Sequence, residues 1–163
     1  MRILPSNGNR IRCAVVGSRT NPPNTDLLVN KWLDFIYSKY GNKLVIVSGG
    51  AKGIDSMAAD WAYQNPDVEL QEFIPDWNKY GRSAGFKRNS TIWANADFGI
   101  AFWDGTSRGT QHSFDIAKRH GKPLTIVLTH EQYMGGTQVK CHHCETWHHF
   151  DVECDCPDAY HGG

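Results

Sequence analysis

Residues 43–55, Lys-Leu-Val-Ile-Val-Ser-Gly-Gly-Ala-Lys-Gly-Ile-Asp, decide the fold of this 163-residue chain. The apolar run at 43–47 has the length of a buried strand. The glycine-rich segment 48–53 follows it. A helix is predicted from about 54 to 64, because apolar residues then recur at helical spacing: Ile54, Met57, Ala58, Trp61 and Ala62. A buried strand that passes through a glycine-rich turn into a helix is a building unit of parallel α/β sheets.

The same alternation extends outward in both directions along the chain. It predicts strands at 11–16, 68–74, 97–103 and 123–128, and helices at 26–40, 86–95 and 109–120. Asn24 or Thr25 can cap the helix at 26–40, and the polar stretch 75–85 is predicted to be a loop. Nearly continuous apolar strands indicate a parallel sheet covered on both faces. We therefore predict an α/β fold, a Rossmann-like three-layer sandwich with a mostly parallel five-stranded sheet, over residues 1–130.

Residues 131–163 differ in composition, being rich in Gly, His, Cys and Asp. A C-x-x-C pair and a C-x-C pair lie nine residues apart, and four thiolates at this spacing can close a tetrahedral structural zinc site: Cys141, Cys144, Cys154 and Cys156. His142, His143, His148 and His149 are alternative ligands. The competing interpretations are a loosely ordered tail or a disulfide formed on oxidation. Because the segment has too few aliphatic residues to fold by burial alone, a zinc-binding module is the favoured interpretation.

Composition and charge exclude some classes of function. Lys and Arg number 17, as do Asp and Glu, so the formal charge is zero. This argues against binding driven by a nucleic-acid backbone or an anionic membrane. No apolar run approaches a membrane span, and the first residues lack a signal-peptide core, so a cytoplasmic location with reduced or metal-bound cysteines is expected. Cys13, alone in an apolar strand, is expected to be a core residue.

Three segments carry binding chemistry at predicted strand ends: Gly17-Ser18-Arg19, 48–53 and 104–110. Ligands of open parallel sheets bind beyond the carboxyl ends of the strands. Glycine lets backbone N–H groups approach an anion, and arginine can pair with phosphate in a bidentate fashion. The candidate ligand-binding residues are Gly17, Ser18, Arg19, Ser48, Gly49, Gly50, Lys52, Asp55, Arg88, Asn89, Trp103, Asp104, Ser107, Arg108, Gly109 and Thr110.

One carboxylate and two tryptophans could either contact the ligand or serve only the fold. Asp55 either accepts a ribose hydroxyl or compensates the dipole of its helix. Trp103 and Trp77 either stack on a base or serve in the core or a subunit contact.

Several of these motifs, in this order, resemble those of the SLOG superfamily: Gly17-Ser18-Arg19, 48–55, Arg88-Asn89 and Gly109-Thr110. Segments Asp76-Trp77, Tyr80-Gly81 and 102–105 resemble its small YspA-like branch, and the likeness spans about residues 11–128. The superfamily includes the DNA-processing protein DprA, the LOG phosphoribohydrolases and ligand-sensing domains of bacterial defence systems. The resemblance implies a nucleotide-type ligand more firmly than a reaction.

The resemblance leaves three functions open. LOG-type enzymes follow their Gly-Thr with glutamate, whereas here Gln111-His112-Ser113 follows Gly109-Thr110. A nucleotide N-glycosidase would therefore use Arg88 with His112 or Asp115. A DprA-like protein would bind single-stranded DNA, which requires a basic groove with stacking rings.

The favoured expectation is a homodimer or higher homo-oligomer that binds a nucleotide or ADP-ribose-type ligand, linear or cyclic and NAD-derived. It would act without catalysis, as a sensor or signal-sequestering protein in bacterial defence or phage counter-defence.

Overall fold

A computed structural model describes residues 10–129, 138–141 and 147–149. Its strands are β1 Ile11–Gly17, β2 Leu44–Ser48, β3 Glu69–Glu72, β4 Phe98–Trp103, β5 Leu124–Leu128, β6 Gln138–Cys141 and β7 Trp147–His149. Its α-helices are α1 Thr25–Tyr40, α2 Ile54–Gln64, α3 Trp77–Tyr80, α4 Ala84–Ala94 and α5 Arg108–Arg119. Short 3-10 turns cover Gly41–Lys43 and Gly81–Ser83.

The strands form one sheet in the order β3-β2-β1-β4-β5-β6-β7. Strands β1 to β5 are parallel to their neighbours. β1 pairs with β4 from Cys13 opposite Phe98 to Gly17 opposite Phe102, although β2 and β3 lie between them in the chain. The strand order therefore reverses between β1 and β4, and the loops that leave these two strands diverge there.

The predicted five-stranded parallel sheet is confirmed, but within the described residues two further strands extend it. β6 pairs antiparallel with β5, and β7 pairs antiparallel with β6. Both belong to the segment 131–163, so the sheet continues past residue 130. The pattern missed β6 because Gln-Val-Lys-Cys contains one aliphatic residue. The division of the chain at 130 stays a prediction.

Helices cover the sheet on both faces, which confirms the three-layer arrangement. On one face α1 and α2 pack over Cys13, Val15 and Ile46; on the other, α4 and α5 pack over Ala14 and Val16. Because consecutive strand residues are buried on opposite faces, the strands are apolar throughout. Cys13 is fully buried, as expected of a core residue, and burial raises the pKa of its thiol.

The loop predicted over 75–85 was wrong, since it contains α3 and a 3-10 turn. The Asp76 side chain accepts a hydrogen bond from Lys79 N (3.0 Å) and caps this single helical turn. α4 then begins at Ala84, two residues earlier than predicted. In the part of the chain that the structure describes, no helix has both the length and the apolar character needed to cross a bilayer.

Candidate functional site

A cavity of about 400 Å³ opens at the carboxyl ends of β1 and β4, where the strand order reverses. This is the position at which doubly wound sheets bind ligands. The volume is within the range of small-molecule sites. The lining comes from the loops after β1, β2 and β4 and from α2, α4 and α5: Val16, Gly17, Ser18, Arg19, Thr20, Ala51, Asp55, Arg88, Asn89, Ile92, Asp104, Ser107, Gly109, Thr110 and Ser113.

Ser18 connects the three loops that surround this cavity. Its backbone N donates to Phe102 O at the end of β4 (3.2 Å). Its carbonyl accepts from Ile54 N at the start of α2 (3.3 Å), and its Oγ accepts from Asp104 N (3.3 Å). The side chain is 2% exposed. These bonds fix the three loops relative to one another before any ligand arrives.

Gly53 allows the second loop, residues 48–53 after β2, to pack on the first loop, Gly17-Ser18-Arg19 after β1. Its φ is +81°, a conformation that other residues rarely adopt. A Cβ at this position would collide with the carbonyl of Ser18 and lie 2.7 Å from Arg19 Cα. Only glycine therefore permits this approach of the two loops.

Arg88 reaches from α4 across the cavity to the turn after β2. Its Nη1 donates to Gly49 O (2.8 Å) and its Nε donates to Asn89 Oδ1 (3.0 Å). Burial lowers the pKa of the Arg88 guanidinium, the nearby Asp55 carboxylate opposes this change, and the positive charge of Arg19 adds to it. An arginine remains charged at neutral pH even with a lowered pKa, so the guanidinium is a fixed cation in the cavity wall.

Asp55, in the first turn of α2, is 8% exposed and lines the cavity. Its Oδ2 accepts from Ala51 N (3.1 Å) and so holds the glycine-rich turn against the helix. Burial raises the pKa of Asp55 to about 6, although the Ala51 N–H and Arg88 oppose the change. The carboxylate thus has a structural role in the turn and also lines the cavity. Its contact with a ribose hydroxyl stays a prediction.

The third loop presents the N-terminal end of α5 to the cavity. Asp104 Oδ1 accepts from Thr106 N (2.9 Å) and Ser107 N (2.7 Å), which shapes the turn before the helix. Burial raises the pKa of Asp104, but these two hydrogen bonds bring it below its ordinary value. Ser107 and Thr110 place their hydroxyl oxygens 3.3 Å apart on the cavity wall. A helix N-terminus with adjacent hydroxyls is suited to bind an anion.

Ten of the sixteen predicted ligand-binding residues line the cavity: Gly17, Ser18, Arg19, Asp55, Arg88, Asn89, Asp104, Ser107, Gly109 and Thr110. The other six are not among the lining residues: Ser48, Gly49, Gly50, Lys52, Trp103 and Arg108. Gly49 contributes through its carbonyl, which accepts from Arg88. The prediction omitted Val16, Thr20, Ala51, Ile92 and Ser113. Thr20 adjoins a predicted motif, and Ser113 lies one helical turn after Thr110, so adjacency and helical spacing could have found both.

The predicted catalytic alternatives do not meet at this cavity. Arg88 lines it, but His112 lines a separate cavity of about 260 Å³ and contacts the Phe86 ring edge-on (centroids 4.3 Å apart). Asp115 is exposed on α5 and lines neither cavity. The carboxylates at the main cavity are instead Asp55 and Asp104.

The predicted zinc ligands fall almost entirely outside the described residues. Cys144, Cys154 and Cys156 lie outside them, and Cys141 is placed only as the end of β6. Among the side chains that the structure describes, those of residues 10–129, no group of three or more His, Cys, Asp or Glu could hold a metal ion. The zinc site stays a prediction.

We expect Asp55→Asn to change how stability depends on pH. The pKa of the carboxyl is raised from 3.8 to about 6 by folding, so the native state binds the proton more tightly than the unfolded chain does. This group therefore makes the free energy of unfolding fall as pH rises from about 4 to 6, by about 3 kcal/mol. Denaturant titrations across this interval should show that fall in the wild type and a flatter profile in the variant. Asp60→Asn, at an exposed position of α2, is the control; parallel profiles for the wild type and Asp55→Asn would contradict the assignment.

The sheet is doubly wound, and a polar cavity lies where its strand order reverses. In this cavity the Arg88 guanidinium faces the N-terminal end of α5. These features define a Rossmann-like domain of the nucleotide-binding class. The chain belongs to the YspA, cpYpsA-related SLOG family, whose profile matches residues 11–80. It is 34% identical to the Gene 61 protein of Mycobacterium phage D29 over 118 residues, which are 69% of this chain and 93% of that protein.

Two solved structures share the fold. DNA processing protein A (DprA) from Streptococcus pneumoniae superposes with a TM-score of 0.57 and 25% identity, covering 71% of this chain and 49% of that one. The chain thus spans about half of that protein. DNA processing protein A from Helicobacter pylori, solved for its single-stranded DNA binding mode, superposes with a TM-score of 0.55 and 22% identity, covering 75% of this chain and 68% of that one.

Proposed function

We propose that this protein binds a nucleotide or ADP-ribose-type ligand, with its phosphates in the 400 Å³ cavity, and holds it without cleaving it. The observation that carries the proposal is the meeting of Arg88 and the N-terminal end of α5 across one cavity at the reversal point of the sheet. The ligand can be linear or cyclic and NAD-derived, since the contacts invoked are to phosphate and ribose.

The cavity has the complement of donors that a phosphate requires. Arg88 and Arg19 supply positive charge, and the backbone N–H groups of the first turn of α5 point toward its N-terminal end. Ser107, Thr110 and Ser113 add hydroxyls. A guanidinium held by Gly49 O is oriented before binding, so less side-chain entropy is lost when it pairs with phosphate.

The carboxylates determine where the ribose would lie. Asp55 can accept hydrogen bonds from ribose hydroxyls, but a carboxylate repels a phosphate oxygen. We therefore place the ribose beside Asp55 at the start of α2 and the phosphates toward α5. Asp104 is occupied by the Thr106 and Ser107 N–H groups and serves to shape the loop.

The same residues favour holding over hydrolysis. Cleavage of an N-glycosidic bond needs a positioned acid or base. Gln111 follows Gly109-Thr110 where LOG-type enzymes have glutamate, and His112 lines the other cavity. The two carboxylates of the main cavity already bond to loop backbone, Asp55 to Ala51 N and Asp104 to Thr106 N and Ser107 N. A protein that binds a signal without consuming it acts as a sensor or sequesters the signal. The relative encoded by a bacteriophage supports sequestration in counter-defence.

A thermal-shift screen tests the proposal against its alternatives. The compounds are AMP, NAD, ADP-ribose, cyclic ADP-ribose isomers and a single-stranded oligonucleotide, with products checked by chromatography. A ligand at 100 times its dissociation constant stabilises the fold by about 2.7 kcal/mol, which for this size is roughly 5–10 °C. Absence of a shift with every phosphorylated small molecule would contradict the proposal, and release of free base would favour the glycosidase.

Single-stranded DNA binding is the second candidate, favoured by the fold shared with two DNA processing proteins. The zero formal charge counts against it, because phosphate neutralisation supplies most of the affinity for nucleic acids. A shift with the oligonucleotide that exceeds the shift with AMP, and that weakens steeply with salt, would favour this candidate.

For the C-terminal segment we propose a structural zinc ion on Cys141, Cys144, Cys154 and Cys156. Four thiolates would leave no position open for water, so the metal would stabilise the segment and take no part in chemistry. We expect elemental analysis of the reduced, folded protein to give about one zinc per chain. A metal-free folded protein would contradict this. Association into a homodimer or larger oligomer is a separate expectation, which light scattering on the eluted protein tests.

A further inference from the structure

The main cavity lacks a surface for a base. Among the described residues that line it, none is aromatic, and most present polar groups. Nucleobases in proteins are commonly stacked on aromatic rings. If the phosphates and ribose occupy this cavity, the base must lie on its rim.

Trp103, at the end of β4, and Tyr80, at the end of α3, are already engaged. The Trp103 ring packs edge-on against Phe114 (centroids 5.2 Å apart), and its Nε1 donates to Ser107 O (3.0 Å). The Tyr80 ring has the ammonium groups of Lys79 and Lys87 at 5.1 and 4.8 Å from its centroid. Neither ring is well placed to receive a base.

Trp77, the first residue of α3, is 52% exposed. Its Cη2 is 3.7 Å from the position that a Cβ on Gly85 would occupy. Gly85 precedes Arg88 and Asn89 on α4 by three and four residues, so all three share one face of the helix. The indole therefore lies one helical turn from the side chains that line the cavity.

Ile74 extends this surface over the second glycine-rich turn. Its side chain meets the position that a Cβ on Gly50 would occupy, and it is 65% exposed. Gly50 adjoins Gly49, whose carbonyl binds Arg88. Ile74 thus leaves apolar surface open over the turn after β2, and Trp77 leaves apolar surface open beside the start of α4. Exposed apolar surface near a polar cavity is typical of a ligand contact.

We propose that Trp77 is the base-stacking residue of this site and that Ile74 adds an apolar contact beside Gly50. An indole ring can stack on the π-face of a nucleobase. This inference rests on the proposed function, because it takes the phosphate position as given. It predicts that Trp77 contributes affinity only for ligands that have a base.

The experiment titrates the full chain calorimetrically with ADP-ribose and AMP, which carry a base, and with ribose 5-phosphate, which differs from AMP only in lacking the base. We expect Trp77→Ala to weaken ADP-ribose and AMP binding by about 5- to 150-fold and to change ribose 5-phosphate binding by less than about 2-fold. Trp77→Phe keeps a ring and should retain part of the affinity. Tyr63→Ala is the control, because Tyr63 is an exposed aromatic residue (72%) near the C-terminal end of α2, away from the cavity.

Each other outcome overturns the inference in a recognisable way. If Trp77→Ala weakens all three compounds equally, Trp77 supports the local fold and does not stack on the base. If it changes none of them while the wild type binds all three, the base lies elsewhere and the proposed function stands. If the wild type binds none of the three, the proposed function fails and this inference fails with it.

Discussion

Replacing Arg88 with alanine is expected to weaken ADP-ribose binding by about 10- to 150-fold. A hydrogen bond to a charged group contributes roughly 1.5–3 kcal/mol, and losing the equivalent of one such bond corresponds to about 10- to 150-fold in affinity. The residue is half-buried, and its hydrogen bond to Gly49 O holds the guanidinium at the cavity wall. Calorimetric titration of the wild type and variant measures the change in affinity.

The control for charge is Arg82→Ala, which removes an exposed arginine from the 3-10 turn before α4 and should leave binding unchanged. Arg88→Lys keeps the charge but loses the bidentate geometry, so its affinity should be intermediate. Since the alanine variant also leaves Asp55 without a nearby cation, its folding must be verified by circular dichroism. A folded Arg88→Ala protein with wild-type affinity would contradict the placement of the phosphates.

Replacing Gly53 with alanine is expected to lower the free energy of unfolding by about 3–5 kcal/mol. About 1–3 kcal/mol comes from placing a side chain at φ +81° and ψ −125°, a conformation that other residues rarely adopt. The rest comes from the collision of the new Cβ with the backbone of Ser18 and Arg19, which would force the first two loops apart. Urea denaturation measures the stability, and the same protein should bind ADP-ribose more weakly because the loops define the cavity.

Gly121→Ala is the matched control for this variant. Gly121 also has a positive φ (+66°), but a Cβ there would meet no atom within 4 Å. Its cost should therefore be that of backbone strain alone, about 1–2 kcal/mol. If Gly53→Ala and Gly121→Ala lower the free energy of unfolding equally, the close contact between the first and second loops does not contribute to stability.

The sequence pattern predicted those parts of the fold that depend on burial. Residues 44–48 of β2 are all buried, and a strand enclosed on both faces must be apolar throughout, so its position is evident from composition. α3 depends instead on one capping hydrogen bond from Lys79 N to Asp76, and β6 on backbone pairing with β5. Such local or long-range backbone bonds leave little trace in a hydrophobic pattern.

The site was predictable at the level of loops because topology gathers the carboxyl ends of parallel strands at one edge. Side-chain direction was harder to predict. Thr110 and Ser113, three residues apart on α5, share the face toward the main cavity. His112 and Ile116, four residues apart, share another face and line the second cavity. Trp103 ends a strand near the site, yet packs against Phe114, which lies outside the predicted motifs.

We propose that the three loops form one cavity that holds a nucleotide derivative and leaves it intact. Titration of the wild-type protein with ADP-ribose, followed by chromatography of the recovered ligand, tests this most directly. We expect saturable binding and recovery of unchanged ADP-ribose. Failure to bind ADP-ribose, AMP and NAD alike, or recovery of free base and ribose phosphate, would contradict it.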